Sequence, residues 1–162
     1  MISSIEIDGD FMKKERTFVM IKPDAVQRGL IGDIISRFEK KGIKIVAMKL
    51  VSVSKELAEK HYGIHKGKPF FEPTVKYITS SPVISIVLEG NNVIEMVRNM
   101  MGKTDPQKAE LGSIRGDFGQ FIGRNIVHGS DSAETAEFEI NLWFKQEEIA
   151  SYKRIDEVWL SE

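Results

Sequence analysis

The order of apolar and polar residues predicts four strands along the chain. Three runs are rich in branched and aromatic residues and have the length of strands: RTFVMIK (16–22), IKIVAMKLVSV (43–53) and PVISIVLEG (82–90). Pro23 ends the first run, because proline has no N–H to donate to a neighbouring strand. A fourth strand is expected to start in RNIVHG (124–129).

Between these runs, apolar residues recur at helical spacing. We expect helices in four segments: 29–42, 54–80, 91–102 and 131–144. The apolar face of the first consists of Leu30, Ile31, Ile34, Ile35 and Phe38. Gly42 suits its C-terminal cap. The second is predicted to break into pieces, at Gly63, Gly67 and Pro69. Asp131 or Ser132 is the expected N-cap of the last.

The remaining segments complete the predicted organisation. Residues 103–123 are glycine-rich and without periodicity, so we expect a long irregular loop, a feature that is usually functional or disordered. We predict a two-layer α+β sandwich with helices covering one main face of a sheet. Residues 1–14 are expected to form an extension outside the core. Either a second start site at Met12 or residues added in cloning would account for it.

Composition excludes several classes of site. The 162 residues contain no cysteine, which excludes disulfides, thiolate zinc sites and cysteine nucleophiles and fits a cytoplasmic location. No apolar run approaches the roughly 18 residues that a membrane span needs, and the acidic N-terminus lacks the order of a secretion signal. The net charge of −1 argues against nucleic-acid binding as the main role.

Three short motifs do not support the chemistry they suggest. Gly-Lys-Thr in MGKTD is not a phosphate-binding loop, because Val97 stands where the earlier glycine would be and a helix precedes it. His61 and His65 have the i, i+4 spacing of metal ligands, but Gly63 separates them and no third ligand is evident. We expect them to be solvated or packed in a loop. Arg-Gly-Asp (115–117) carries no adhesion function in a chain without a secretion signal.

Basic residues are concentrated at the ends of elements and in the loop. They are Lys22, Arg98, Lys103, Arg115 and Arg124. Each alone is most simply a solvated surface charge. If they converge on one cleft, they form a site for an oligophosphate, because guanidinium groups bind phosphate in a bidentate manner.

His128 and Glu139 are the candidate reactive pair. Glu139 lies at the edge of the apolar stripe of the last predicted helix, which is formed by Ala136, Ile140, Trp143 and Phe144. A carboxylate there needs a partner, and the imidazole of His128 is a plausible one. Such a bond fixes the tautomer and leaves the other ring nitrogen to attack. From these residues alone, a structural and a catalytic role of His128 both stay open.

Four separated motifs resemble the nucleoside diphosphate kinase family. They are ERTFVMIKPDAVQRGLIG, HYGIHKGKPFF, GSIRGDFG and the active-site signature RNIVHGSDS, in the family's order. The likeness runs from about residue 15 to 160. It implies that 15–162 form a kinase domain with the ferredoxin-like α+β fold, a four-stranded antiparallel sheet covered by helices.

The resemblance also implies roles for single residues. His128 matches the histidine that is phosphorylated, Ser130 and Glu139 the groups that orient it, and Tyr62 a tyrosine bonded to the catalytic lysine. The residues implied in nucleotide binding are Lys22 for the ribose and reacting phosphate, Phe70 for stacking on the base, Arg98, Thr104 and Arg115 for the phosphates, and Asn125 for the sugar. Thr74 and Leu111 depart from residues common in the family.

The implied reaction is ping-pong transfer of the γ-phosphate of a nucleoside triphosphate, mainly ATP, to a nucleoside diphosphate, with broad base specificity. Mg²⁺ is expected to arrive bound to the nucleotide phosphates, since no carboxylate cage is visible in the sequence. Family relatives form hexamers or tetramers, so a homo-oligomer is expected. Two other classes stay open: a histidine-phosphorylated regulatory protein without turnover, and a nucleic-acid-binding module.

Overall fold

A computed structural model describes residues 14–162 of the chain. Its strands are β1 (Lys14–Ile21), β2 (Lys44–Val51), β3 (Val83–Asn91) and β4 (Val127–Gly129). Its α-helices are α1 (Pro23–Gln27), α2 (Ile31–Lys40), α3 (Lys55–His61), α4 (Phe71–Ile78), α5 (Val93–Met101), α6 (Ile114–Phe118) and α7 (Ala133–Trp143). Strand β1 begins at Lys14, which we had included in the N-terminal extension; the rest of that extension lies outside the described residues.

The four strands form one antiparallel sheet in the order β2-β3-β1-β4. This order confirms the predicted ferredoxin-like sheet. β1 pairs with β3 along its whole length, from Lys14 opposite Asn91 to Ile21 opposite Ile84. The other side of β1 pairs with β4, where His128 lies opposite Met20. The central strand therefore fixes the backbone on both sides of the candidate histidine.

Helices cover both faces of the sheet, so the expectation that they cover one main face is wrong. Successive side chains of a strand point to opposite faces, yet Phe18, Val19, Met20 and Ile21 are all fully buried. Phe18 and Met20 lie in a core with residues of α3, α4 and α7. Val19 and Ile21 lie in a second core with residues of α2, α5 and α6. β1 is apolar at consecutive positions because neither of its faces meets water.

Two helices were missed. Pro23 does end β1, but it also begins α1, because a proline at the first helical position has no N–H to leave unpaired. Within the predicted irregular loop, Ser113 accepts a hydrogen bond from the N–H of Gly116 and begins α6. The remainder of residues 103–123 is irregular apart from one 3-10 turn, Pro106–Lys108.

The other helices follow the sequence pattern closely. Ser132, one of the two predicted N-caps of α7, accepts a hydrogen bond from the N–H of Thr135. The predicted break after α3 is present as a 3-10 turn, Gly63–His65, before α4 begins. Within residues 14–162, every helix is too short or too polar to cross a lipid bilayer.

Candidate active site

His128 lies at the middle of β4, where its side chain keeps 24% of its exposure. Its neighbour Gly129 packs against α5 so closely that a Cβ atom there would lie 2.6 Å from the sulfur of Met101. A side chain at residue 129 would therefore require the Met101 side chain to shift. Glycine lets the strand approach the helix and keeps His128 at the rim of the core.

A buried carboxylate holds one ring nitrogen of His128. Glu139 Oε2 lies 2.5 Å from His128 Nε2, and the Glu139 side chain is 3% exposed. The contact that the α7 pattern predicted is present. Burial raises the pKa of Glu139, while His61 and the hydroxyl of Ser130 act in the opposite direction. With Nε2–H donating to the carboxylate, Nδ1 carries the lone pair, and it makes no hydrogen bond within residues 14–162.

A second histidine reaches the same carboxylate. His61 Nε2 lies 3.2 Å from Glu139 Oε2, and the His61 side chain is 1% exposed. The indole N–H of Trp143 donates to His61 Nδ1 at 3.0 Å. Because Nδ1 accepts this bond, the proton of neutral His61 is on Nε2, where it donates to Glu139. Burial lowers the pKa of His61 and keeps it neutral.

The expectation that His61 is solvated or packed in a loop is wrong, because this residue lies in the core beside His128. The two rings meet edge to face, with centroids 4.7 Å apart. His65 lies apart from them in the 3-10 turn and packs against Phe70, with centroids 5.1 Å apart. The i, i+4 spacing does not bring these histidines together because α3 ends at His61.

His61, His128 and Glu139 could be mistaken for a metal site, since their ligand atoms lie within 4.8 Å of one another. Ligand atoms about 2.0–2.2 Å from a tetrahedral metal lie roughly 3.3 Å apart. The 2.5 Å between His128 and Glu139 is too short for two ligands of one metal and corresponds to a short hydrogen bond. Lys22, Arg115 and Arg98 also give this region a positive field. We interpret the three residues as a hydrogen-bonded network.

Lys22, Arg98 and Arg115 converge on the histidine. Burial, followed by their charges, lowers the pKa of His128 well below its ordinary value, so the imidazole is neutral near pH 7. Burial, followed by the charge of Arg115, lowers the pKa of Lys22 to about 8. Arg98 is exposed and donates to the carbonyl of Gly129 at 3.3 Å. Of the other basic residues, Lys103 is exposed, and Arg124 lies over the Tyr77 ring.

Arg115 is more deeply buried than a solvated phosphate ligand, with 4% of its surface exposed. It donates to three backbone carbonyls, those of Gly102 (2.9 Å), Asn125 (3.1 Å) and Val127 (2.7 Å). A guanidinium has five N–H groups, so two are left after these bonds. Arg115 therefore fixes the backbone before His128 and keeps limited capacity for an anion.

Asn125 is buried and linked to two other predicted residues. Its side-chain oxygen accepts from Lys22 Nζ at 2.7 Å, and its amide donates to the carbonyl of Thr104 at 3.1 Å. The bond between Tyr62 and Lys22 that the resemblance implied is absent. Instead, the buried hydroxyl of Tyr62 has no hydrogen-bond partner within residues 14–162, and burial raises its pKa. Lys22 bonds to Asn125 because the amide oxygen lies within its reach.

The remaining residues named from the sequence are Ser130, Phe70, Thr74 and Leu111. The hydroxyl of Ser130 donates to the carbonyl of Phe18 at 3.4 Å and lies near the Glu139 carboxylate. Phe70 caps the start of α4 with 49% of its surface exposed, and the hydroxyl of Thr74 donates to its carbonyl at 2.7 Å. Leu111 is 87% exposed in the segment before α6.

Comparisons with known proteins agree with this arrangement. The family model for nucleoside diphosphate kinase matches residues 15–149. A nucleoside diphosphate kinase from Desulfitobacterium hafniense is 60% identical over 148 residues, which is 91% of this chain and 99% of the relative. One from Staphylococcus carnosus is 58% identical over the same shares.

Solved structures agree as well. A halophilic nucleoside diphosphate kinase from Halobacterium salinarum, in complex with CDP, superposes with a TM-score of 0.90 at 48% identity, covering 93% of this chain and 100% of that one. A transition-state mimic of the Borrelia burgdorferi enzyme, with bound vanadate and ADP, has a TM-score of 0.86 at 40% identity, covering 91% and 96%. The chain therefore belongs to the nucleoside diphosphate kinase family.

Proposed function

We propose that this enzyme transfers the γ-phosphate of a nucleoside triphosphate, mainly ATP, to a nucleoside diphosphate in a ping-pong reaction through phosphorylated His128. The observation that carries the proposal is the different environment of the two imidazole nitrogens of His128. Nε2 is held at 2.5 Å by the buried Glu139, while Nδ1 is left with its lone pair. In a histidine with only a structural role, both ring nitrogens would be expected to have hydrogen-bond partners. The unbonded Nδ1 beside several cations instead suits a nucleophile that attacks an anionic substrate.

In the first step, the Nδ1 lone pair attacks the γ-phosphorus of the donor. The Nδ1–P bond forms, the bond from phosphorus to the bridging oxygen breaks, and the nucleoside diphosphate leaves. In the second step, a terminal oxygen of another nucleoside diphosphate attacks the same phosphorus and restores neutral His128. The lowered pKa of His128 favours this chemistry, because only the neutral ring has a lone pair to donate.

The groups around Nδ1 suit the charge of the transferred phosphoryl. Transfer of this kind depends on positioning and electrostatic stabilisation. Positive charge comes from Arg98, Lys22 and the two free N–H groups of Arg115. The backbone carbonyl of Thr104 accepts a hydrogen bond from the Asn125 amide, which holds Thr104 beside Asn125. The buried Tyr62 hydroxyl would gain a partner from a phosphoryl oxygen. Asn125 contributes through Lys22, and we expect both to face the sugar.

Mg²⁺ fits this site only as part of the substrate. Glu139, the carboxylate at His128, is already engaged by His128 and His61, and the nearby charges of Lys22, Arg115 and Arg98 disfavour a bare cation. Arg98, Lys22 and Arg115 would hold the phosphates, and the phosphates would hold the metal. When bound, the metal would neutralise part of the charge that develops during transfer.

The base is proposed to stack on Phe70, whose exposed ring offers a face to any base. The relatives bound to CDP and to ADP fit a site that accepts different bases. Replacing Phe70 with alanine is expected to raise KM about 5- to 160-fold, because stacking contributes about 1–3 kcal/mol per base. The same factor is expected for ATP, GTP, CTP and UTP in steady-state assays. A loss confined to one base would contradict the stacking proposal.

Labelling tests the proposed nucleophile. The enzyme is incubated with γ-labelled ATP and no acceptor, and the expected product is an acid-labile, alkali-stable phosphoenzyme that His128→Ala does not form. His65→Ala, in the 3-10 turn Gly63–His65, is the matched control and should label normally. Discharge of the label by several nucleoside diphosphates separates a turning-over kinase from a phosphorylated regulatory protein. Equal labelling of His128→Ala and the native enzyme would show that His128 is not the phosphorylated residue.

Three further expectations stay predictions: a homo-oligomer, hexameric or tetrameric; a cytoplasmic location; and a single kinase domain spanning 15–162. Large exposed apolar side chains in the described residues, including Phe121, Ile155 and Trp159, support self-association. The net charge of −1 continues to disfavour nucleic-acid binding as the main role.

A further inference from the structure

The backbone immediately before His128 contains a strained turn. Ile126 has φ = 74°, a conformation that is a genuine outlier for a β-branched residue. The N–H of Val127 donates to the carbonyl of Asn125 at 2.8 Å, two residues back. A three-residue hydrogen bond with positive φ at the middle residue is the rare, strained form of γ-turn. Such a conformation persists only where the surrounding structure over-determines it.

Four polar backbone groups of this turn are held by residues outside it. The N–H of Ile126 donates to Asp24 Oδ2 at 3.1 Å, and its carbonyl accepts from the N–H of Lys22 at 2.9 Å. Arg115 binds the carbonyls on either side, those of Asn125 and Val127. Of these contacts, the bond from Asp24 is the one that a side chain makes to the strained residue itself.

Asp24 is in turn fixed by a buried phenol. The hydroxyl of Tyr77 donates to Asp24 Oδ1, so each carboxylate oxygen accepts one bond from a different part of the fold. Burial raises the pKa of Tyr77, which therefore stays a donor. The guanidinium of Arg124 lies 4.2 Å from the centre of the Tyr77 ring and closes the outer side. Asp24 cannot turn away from Ile126 without losing both bonds.

We propose that Asp24 is a positioning residue, which holds the strained turn at Ile126 and thereby sets the position of His128. The turn separates Asn125, which binds Lys22, from His128, which binds Glu139. If the turn relaxes, the two sides of the site shift relative to each other. The inference rests on the proposed role of His128 as the nucleophile.

Asp24 has a second effect that the test must separate. Its negative charge raises the pKa of Lys22, against the larger effects of burial and Arg115. A variant lacking the charge would alter Lys22 as well as the turn. The two effects can be separated, because the effect on the turn depends on the strain at Ile126 and the effect on the pKa of Lys22 does not.

Asp24→Asn is the first variant. An amide has one acceptor oxygen, so either its NH₂ group faces the Ile126 N–H and that bond is lost, or the Tyr77 hydroxyl must stop donating and accept from the NH₂ group. The rate constant of phosphoenzyme formation at saturating ATP is expected to fall about 10- to 100-fold, as small misplacements of reacting groups do, with little change in KM. Tyr77→Phe, which removes one of the two bonds, is expected to give a smaller loss of the same rate constant.

The decisive comparison repeats Asp24→Asn in two backgrounds, Ile126→Gly and Ile126→Ala. Both remove a buried side chain, and only glycine adopts positive φ without a steric penalty. We expect Asp24→Asn to reduce the rate constant several-fold less in the glycine background than in the alanine background. Thermal melts monitor folding, and rates are compared below the melting range of every variant.

The outcomes are distinguishable. Equal losses in the two backgrounds, or no loss in Asp24→Asn and Tyr77→Phe, would overturn the positioning role while leaving the nucleophile assignment intact. If an aspartate variant fails to fold, the smaller change Tyr77→Phe in the same two backgrounds gives the comparison, with the same expected difference. A native enzyme that never labels would instead overturn the function proposed for His128.

Discussion

At the residue scale, the site combines a neutral histidine with a cationic surrounding. His128 keeps its lone pair because burial and the charges of Lys22, Arg115 and Arg98 all disfavour its protonation. The same charges favour an incoming phosphate. One arrangement would therefore serve both the proposed nucleophile and its substrate. Perturbed pKa values of this kind concentrate at functional sites.

The pH dependence of kcat/KM follows from these shifts. This quantity reports the pKa values of the free enzyme. Lys22 carries its charge below its lowered pKa of about 8 and loses it above, so kcat/KM for ATP should fall as pH rises through about 8. On the acid side, His128 stays neutral through pH 6 because its pKa lies well below 6.5, and no loss is expected there.

Lys22→Arg is the matched control for this profile. Arginine keeps its charge throughout the range, so the alkaline limb should move to higher pH even if the activity at neutral pH is lower. An alkaline limb that stays near pH 8 in Lys22→Arg would show that another group causes it.

At the element scale, three elements meet on one face of the sheet to form the network. β4 contributes His128, α7 contributes both Glu139 and Trp143, and α3 ends at His61. Glu139 and Trp143 are four residues apart and so lie on the same face of α7. A single helix thereby positions the carboxylate and, through the indole, the histidine that donates to it.

Trp143→Phe tests whether the hydrogen-bond relay from Trp143 through His61 to Glu139 affects phosphoenzyme formation. Phenylalanine keeps an aromatic ring beside Phe18 but has no N–H to donate to His61 Nδ1. The proton of His61 is then free to occupy Nδ1, and Glu139 loses a donor. We expect roughly tenfold slower phosphoenzyme formation, corresponding to about 1.4 kcal/mol, with KM for ATP unchanged.

His61→Phe should have a similar effect, because both variants end the donation to Glu139. If the two residues act through one chain of bonds, the double variant should be little slower than either single variant. Losses that add in full would mean that Trp143 and His61 act independently, and the relay would then have to be abandoned.

At the scale of the whole molecule, much of the fold follows from the pattern of apolar residues. The strands near 16–22, 43–53 and 82–90 are present within a few residues of their predicted ends. The covering of both sheet faces was missed, although consecutive apolar residues in TFVMI are the pattern of a strand buried on both sides. The short helix α1 was missed because Pro23 was taken only as the end of a strand.

The site was predictable where a residue conflicts with its local pattern. Glu139 on an apolar stripe required a buried partner, and His128 is that partner. His61 gives no such conflict, because its contact with Trp143 joins residues 82 positions apart. The strain at Ile126 could not be predicted from the sequence either, since no residue type in RNIVHG requires a positive φ. A glycine at residue 126 would have indicated a turn with positive φ, whereas an isoleucine gives no such indication.

The position of the phosphoryl group on the imidazole is the most direct test of His128 as the nucleophile. Phosphoenzyme formed from ATP is digested under alkaline conditions, and the phosphohistidine is compared with the two ring isomers by ³¹P NMR. Because Glu139 occupies Nε2, we predict phosphate on Nδ1 of His128. Phosphate on Nε2, or on a residue other than His128, would contradict this prediction.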